Sequence, residues 1–277
     1  MDSYAYYNGK FGKKEDIYIP ISDRSIFFAD AIYDAAIGRY DRILWEEEHI
    51  ERFLNNAKRI GINHSLTKTF LSSLLREIAI KSMLESYFIY FQLSKNSKDR
   101  THSSVGSSAN LLITIDPIEI KKVLPPMKLM SFDDTRHNLC DIKCTNLLSA
   151  VLTSTIADEA GYDEAVFIRN GIVTECAKSN ISIIKQGRVI SHPKNSHILP
   201  GITREHLNDV CNKLSIPFWE EKFSYNDLIN ADEILVTSTT KLCRRVEKID
   251  NFTVGGKAYD LCERIIYRLF SEYEEII

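Results

Sequence analysis

Apolar residues recur along this chain with two periods, and each change of period marks an element. Ile50, Phe53, Leu54, Ala57 and Ile60 share one face at helical spacing, which predicts a helix over 47–60; a second is predicted over 67–84. Residues 87–93 are instead aromatic and apolar without a break, the pattern of a buried strand. Nearer the N-terminus, Asn8-Gly9 between Tyr4–Tyr7 and Phe11 predicts a tight hairpin, and 32–39 with 43–45 predicts a strand pair. The polar stretch 94–108 has the length of a functional loop, after which 109–115 returns to strand.

Pro117, Pro125 and Pro126 bracket a linker, so the chain divides into a domain over 1–117, a linker over 118–126 and a second domain over 127–277. In the second domain Leu147, Leu148, Val151, Leu152 and Ile156 form a helical stripe that Thr145 or Asn146 is placed to cap. A hairpin is expected over 165–175, a strand pair over 181–185 and 189–191 turning at Gln186-Gly187, and a helix over 203–214. A strand at 233–236 and a final helix at 258–273 complete an alternation of strands and helices in both halves, with no internal repeat.

Composition changes this picture little. Hydrophobic residues make up 44% and charged residues 26%, an ordinary globular balance, and the net charge is −3. The basic residues do not cluster, which argues against a nucleic-acid partner or a membrane-surface patch. No apolar run has transmembrane length, and the start of the chain lacks the features of a signal peptide. Six cysteines occur without a Cys-x-x-Cys pair or a histidine at zinc spacing, so no metal site is expected; reduced thiols in a cytoplasmic protein are.

The candidate chemistry centres on Lys143, at the mouth of the predicted 147–156 helix. A helix N-terminus disfavours a nearby ammonium, and the free amine is the form that attacks a carbonyl. Further along, Pro200-Gly201-Ile202-Thr203-Arg204 opens a helix whose backbone N–H groups and Thr203 hydroxyl suit a phosphate, and Thr237-Ser238-Thr239-Thr240 ends a strand with more hydroxyls. Glu175 closes a hairpin strand, where a carboxylate beside a pyridine nitrogen strengthens the ring as an electron sink. Arg52 follows His49-Ile50-Glu51 on a helix, from which a guanidinium reaches phosphate with two prongs. Taken singly, each has an ordinary reading as a surface lysine, a helix cap, a strand-end acid or a solvated arginine.

Together and in this order, they carry a resemblance. Cys-Asp-Ile-Lys-x-x-Asn-Leu-Leu at 140–148, Val-Thr-Glu-x-x-x-Ser-Asn at 173–180, Gly-Ile-Thr-Arg at 201–204 and Val-Thr-Ser-Thr-Thr at 236–240 are similar to the class IV aminotransferases, the fold type IV pyridoxal phosphate enzymes, and within them to the D-amino acid aminotransferases. The resemblance spans nearly the whole chain. It implies a two-domain α/β (α+β) fold, pyridoxal 5'-phosphate as cofactor, and a homodimer with shared active sites. It further implies transfer of the amino group of a D-amino acid such as D-alanine to a 2-oxo acid such as 2-oxoglutarate.

By the same resemblance, Lys143 is the lysine that forms the Schiff base with the cofactor and moves its proton, and Glu175 partners the ring nitrogen. Arg52, Ile202, Thr203 and Thr239 hold the phosphate, and Ser179 lies at the cofactor. Tyr33 faces substrate, and Arg100 with His102, in Arg-Thr-His, traps the substrate carboxylate. The chain departs from the family pattern at Ala29 and Ala31, where glycines are usual, at Lys95-Asn96 in place of Arg-Gly, and at the bulky Lys178. Branched-chain L-amino acid aminotransferases and aminodeoxychorismate lyases share the fold and are the competing readings. A catalytically silent dimeric homologue is a third. The Arg100-x-His102 pair and Leu147-Leu148 favour the D-amino acid transaminase.

Overall fold

The computed structural model describes residues 2–97, 99–121 and 124–277. It resolves into two compact units. The first holds the chain up to Ile120 together with Ile142–Asn146 and Ile276–Ile277; the second holds 121–141 and Leu147–Glu275. The linker expected over 118–126 includes Lys122 and Val123, and the expected 94–108 loop includes Lys98; these three lie outside the described residues.

The first unit is a six-stranded antiparallel sheet with helices. Its strands are β1 (Tyr4–Tyr7), β2 (Lys10–Lys13), β3 (Ala31–Arg39), β4 (Arg42–Ile43), β5 (Ser86–Asn96) and β6 (Ser108–Pro117), in the order β2-β1-β6-β5-β3-β4. Its helices are α1 (Arg24–Phe28), α2 (Glu46–Arg59) and α3 (Lys68–Ser82). Phe53 of α2 packs on Phe91 of β5 with ring centroids 4.8 Å apart, inside a core that includes Ile32, Leu71, Leu75, Ile78, Tyr87 and Ile113. Gly38 of β3 is needed for this packing, because a Cβ there lies 2.4 Å from the Tyr87 ring. The strand predicted at 43–45 is shorter than expected: Trp45 takes a left-handed conformation (φ 50°) and opens α2.

Strand β5 runs three residues beyond the predicted end at 93. The polar Ser94 and Lys95 stay buried because Ser94 Oγ donates to Asp23 (2.7 Å) and Lys95 Nζ pairs with Asp30 (3.2 Å). Ala29, where the family favours glycine, sits in the left-handed region at φ 50° and closes α1.

The second unit is a nine-stranded mixed sheet. Its strands are β7 (Met127–Asp133), β8 (Glu164–Arg169), β9 (Ile172–Cys176), β10 (Asn180–Lys185), β11 (Arg188–Ser191), β12 (Phe218–Glu220), β13 (Glu233–Ser238), β14 (Leu242–Ile249) and β15 (Phe252–Thr253). They run β12-β11-β10-β13-β14-β7-β8-β9, with β15 on β14; the pairs β11/β12, β14/β7 and β7/β8 are parallel. Helices α4 (Leu148–Glu159), α5 (Ile202–Lys213), α6 (Tyr225–Ile229) and α7 (Tyr259–Ile276) complete it. The core gathers Met127, Leu129, Val166, Ile181, Ile183, Ile234, Val236 and Val246.

Helix α4 differs from its sequence reading at its cap. Its N-cap is Leu147, with no side-chain cap; Thr145 instead donates to the carbonyl of Ala29 (3.0 Å). Its apolar stripe is exposed, with Leu148, Val151, Leu152 and Ile156 between 49% and 69% accessible. Among the described residues no helix is long and apolar enough to cross a membrane, and no cluster of His, Cys, Asp or Glu suits a metal ion. None of the six cysteines forms a disulfide.

Candidate active site

In the first unit the segment Ile142–Asn146 lies along the start of β3. Tyr33 donates its N–H to the Lys143 carbonyl (2.9 Å), Thr145 N–H reaches the Ala31 carbonyl (3.1 Å), and Ile32 and Cys144 form a bridge. The lysine expected in the 127–277 domain is thus tethered to β3 of the first unit, while the helix that follows it belongs to the second. Lys143 Nζ sits 4.4 Å from the centroid of the Tyr33 ring, which stacks on Tyr90 at 5.2 Å. An amine over an aromatic face is held in place without being consumed by an ion pair.

Next on β3, the fully buried Asp34 binds two groups from α2. Arg52 donates to it with Nε (2.8 Å to Oδ2) and Nη2 (2.8 Å to Oδ1), and His49 Nδ1 lies 2.8 Å from Oδ1. Burial works to raise the Asp34 pKa, but Arg52 and His49 together hold it well below the usual carboxylate range. His49 moves the other way: burial lowers its pKa despite Asp34, and the charges of Arg52 and Lys143 add to that. Its Nε2 is buried without a hydrogen-bond partner. One position apart on β3, Tyr33 meets Lys143 and Asp34 meets Arg52.

Arg100 and His102 form a separate group in the same unit, on the loop between β5 and β6. The Arg100 guanidinium lies 5.6 Å from the Phe27 ring and 5.2 Å from the Phe28 ring, and the His102 ring lies 5.4 Å from Phe28. Both side chains are exposed.

In the second unit Glu175, near the end of β9, is 5% exposed. Arg136 Nη1 donates to its Oε1 (2.5 Å), while Asn180 Nδ2 and the Leu199 N–H both donate to Oε2 (3.0 Å each). Arg136 is shared: it also donates to Asp134 through Nε (2.9 Å) and Nη2 (3.0 Å), and its guanidinium lies 4.4 Å from the centroid of the Phe167 ring. Burial pushes the Glu175 pKa up to about 7, and Arg136 and the Leu199 N–H only partly oppose it.

Close by, Gly201 caps α5 and Thr203 lies in its first turn. A Cβ at Gly201 lies 2.0 Å from Asn180 Oδ1, and Asn180 is registered with Thr237 of β13, so the helix start, β10 and β13 converge. The Thr203, Thr237 and Ser238 hydroxyls are all buried with no hydrogen-bond partner. Thr239 follows directly after β13, and Ile202 is the first residue of α5. Ser179 Oγ donates to Glu164 (3.0 Å), which also accepts from the Lys178 N–H (2.9 Å) and from Lys241 Nζ (2.5 Å). Arg204 has a structural role: it is fully buried and joins α5 to Ser191 and to the His192 carbonyl (2.9 Å each).

Asp34 and His49 in the first unit and Arg136 in the second escaped the sequence reading. His49 was visible only as a neighbour of Arg52, and Arg136 stands in an unpatterned Asp-Asp-Thr-Arg stretch.

Comparison with known proteins agrees with this architecture. The family model for amino-transferase class IV matches residues 32–249. D-alanine aminotransferase of Bacillus licheniformis is 33% identical over 91% of this chain and 90% of its own. That of Staphylococcus haemolyticus is 32% identical over 98% of each. A branched-chain aminotransferase from the archaeon Thermoproteus uzoniensis superimposes with a TM-score of 0.89, at 21% identity, over 100% of this chain and 97% of that one, and so shares the fold. The resemblance read from the motifs and the two-domain α+β fold it implied are both borne out: the chain belongs to the class IV aminotransferases.

Proposed function

We propose that the protein transfers the amino group of a D-amino acid of the D-alanine type to a 2-oxo acid such as 2-oxoglutarate, using pyridoxal 5'-phosphate. The reading is carried by the 33% identity to a D-alanine aminotransferase over nine-tenths of the chain. The residues present suit the cofactor. Three buried hydroxyls without partners, at Thr203, Thr237 and Ser238, stand at the start of α5, where a phosphate finds N–H groups and the positive helix end. The buried Glu175 carboxyl, with a raised pKa, lacks a full counter-charge that a protonated pyridine nitrogen provides.

On this reading Lys143 would hold the cofactor and Glu175 would partner its ring nitrogen. Arg52, Ile202, Thr203 and Thr239 hold its phosphate, with Thr237 and Ser238 adding hydroxyls, and Ser179 lies at the cofactor through its place beside Asn180. When bound, pyridoxal phosphate supplies an aldehyde and an electron-withdrawing ring that stabilises charge at the amino acid Cα. Lys143, whose amine lies over the Tyr33 ring, would serve as the general base for the Cα proton. Tyr33 borders the substrate, and Arg100 and His102 receive its carboxylate. Handedness follows from which side the carboxylate must take. Two chains associate, with the exposed apolar stripe of α4 supplying surface for a second copy. Six cysteines without a disulfide suit a reducing cytoplasm.

Purified protein with D-alanine and 2-oxoglutarate is expected to yield pyruvate, and Lys143→Ala to lose both turnover and the visible absorbance of bound cofactor. Turnover of L-leucine without D-alanine, or release of 4-aminobenzoate from aminodeoxychorismate, defeats the reading. Sedimentation equilibrium tests the dimer, which Leu152→Glu on α4 is expected to weaken.

A further inference from the structure

We propose that Arg24, bridged by Asp30 to Lys95, is a positioning device that sets the loop carrying Arg100 and His102 in its carboxylate-receiving form. The inference rests on the D-amino acid reading above and names the residues that make its substrate loop specific.

Arg24 begins α1 and is 3% exposed. Its Nε donates to Asp30 Oδ2 (2.8 Å), while Nη1 and Nη2 donate to the main-chain carbonyls of Thr101 (2.6 Å) and His102 (2.9 Å). The guanidinium also lies 4.5 Å from the Phe28 ring, the ring that His102 and Arg100 approach. All three donor groups of this buried fork are therefore committed, and two of them to carbonyls inside Arg100-Thr101-His102. The second arm is Lys95, 7% exposed, whose Nζ lies 3.2 Å from Asp30 Oδ1 and 3.1 Å from Ser104 Oγ. Asp30 thus holds two cations, and those cations hold the loop at 101–102 and at 104.

Residues Arg100, Thr101, His102 and Ser103 are all exposed, so no apolar burial orders them. A loop without a core stays mobile unless its backbone is tied, and here the ties come from a buried guanidinium. Carbonyl recognition at two points needs the planar fork of arginine; an ammonium at the same place keeps the charge and loses the geometry. Fixing the Thr101 and His102 carbonyls also fixes the directions of the flanking side chains, and both Arg100 and His102 turn to Phe28. Pre-ordering of this kind lowers the cost of binding a carboxylate without touching the reacting atoms. The Lys95-Asn96 departure from the family's Arg-Gly falls at the second arm, where a lysine serves because it meets point acceptors, one carboxylate oxygen and one hydroxyl.

The test uses the full-length holoenzyme with four variants, Arg24→Lys, Lys95→Met, Lys95→Arg and Arg100→Ala. Each is assayed with D-alanine and, without substrate, by amide hydrogen exchange over 99–104. Arg24→Lys is expected to raise KM for D-alanine about tenfold with kcat within about threefold, and to speed loop exchange about tenfold with α2 and α3 unchanged. Lys95→Met is expected to do the same about threefold, and Lys95→Arg to recover most of that loss. If Arg24→Lys does not fold, Lys95→Met and its arginine rescue carry the test. A folded Arg24→Lys with wild-type KM and wild-type loop exchange overturns the proposal, as does a loss confined to kcat. Arg100→Ala reports separately: a raised KM there beside an unaffected Arg24→Lys defeats the positioning device alone, whereas wild-type KM in Arg100→Ala defeats the substrate reading.

Discussion

In the first unit one carboxylate, Asp34, is shared by Arg52 and His49; in the second, one guanidinium, Arg136, is shared by Asp134 and Glu175. Both knots are buried and both join arginine to carboxylate, yet one centres on a shared anion and the other on a shared cation. Where two donors meet one carboxylate, Asp34 stays ionised and fixes the guanidinium of Arg52. Where one guanidinium is shared by two carboxylates, they compete for it. Asp134 has a second arginine, Arg169, at 3.2 Å and is held down at about 2, although burial works to raise it. Glu175 has none, and burial leaves it near 7. The neighbouring charges thus decide which buried carboxyl is held ionised and which is pushed towards its protonated form.

The largest effect that tests this contrast comes from removing the shared cation. Arg136→Met leaves Asp134 and Glu175 buried with one arginine fewer and is expected to cost about 3–5 kcal/mol of stability, read by urea unfolding at pH 8. A loss below about 1 kcal/mol shows that the knot is not held by this guanidinium.

The second test is pH. The folded-state pKa of Glu175 is raised from 4.5 to about 7, so between those values the folded protein holds a proton that the unfolded chain has lost. Stability therefore falls as pH rises through that window and levels above it, by about 3 kcal/mol in cofactor-free protein. The difference curve between the wild type and Glu175→Gln isolates this contribution, and a flat difference refutes it. Bound cofactor is expected to flatten the slope by supplying the missing positive charge.

Asp34→Asn is the smallest of the three, at about 2 kcal/mol at pH 7, because asparagine keeps one acceptor for Arg52. Its sign with pH is the reverse. Asp34 has a depressed pKa, so its contribution is present above the ordinary value of 3.8 and is lost as pH falls below it. The cost of Asp34→Asn should accordingly fade in acid, and a cost that stays constant to pH 2 indicates packing rather than charge.

Much of this molecule was legible in its sequence. Helical spacing located α2, α3 and α5 to within about two residues, because one buried face suffices to set that period. It located α4 as well, where the stripe of Leu148, Val151, Leu152 and Ile156 shows that an apolar face exists without showing what covers it. Strand β7 was missed because its Met-Lys-Leu-Met-Ser-Phe-Asp pattern alternates only briefly after two prolines. Lys143, Glu175 and Thr203 stood out as candidates through the order and spacing of their motifs. Asp34, Arg136 and Arg24 were not, since their partners stand 18, 39 and 77 positions away and no local pattern marks them.

By itself, then, the sequence determined what is local: the periods of its elements, the glycine and hydroxyls that open α5, and the lysine set before α4. Tertiary structure alone decided which carboxyl meets which guanidinium, and with that the ionisation of Glu175, the fixing of Arg52 and the shape of the Arg100–His102 loop. The physical reason is that a charge state depends on burial and on neighbours within a few ångströms, and these are assembled only when distant strands and loops are brought into register.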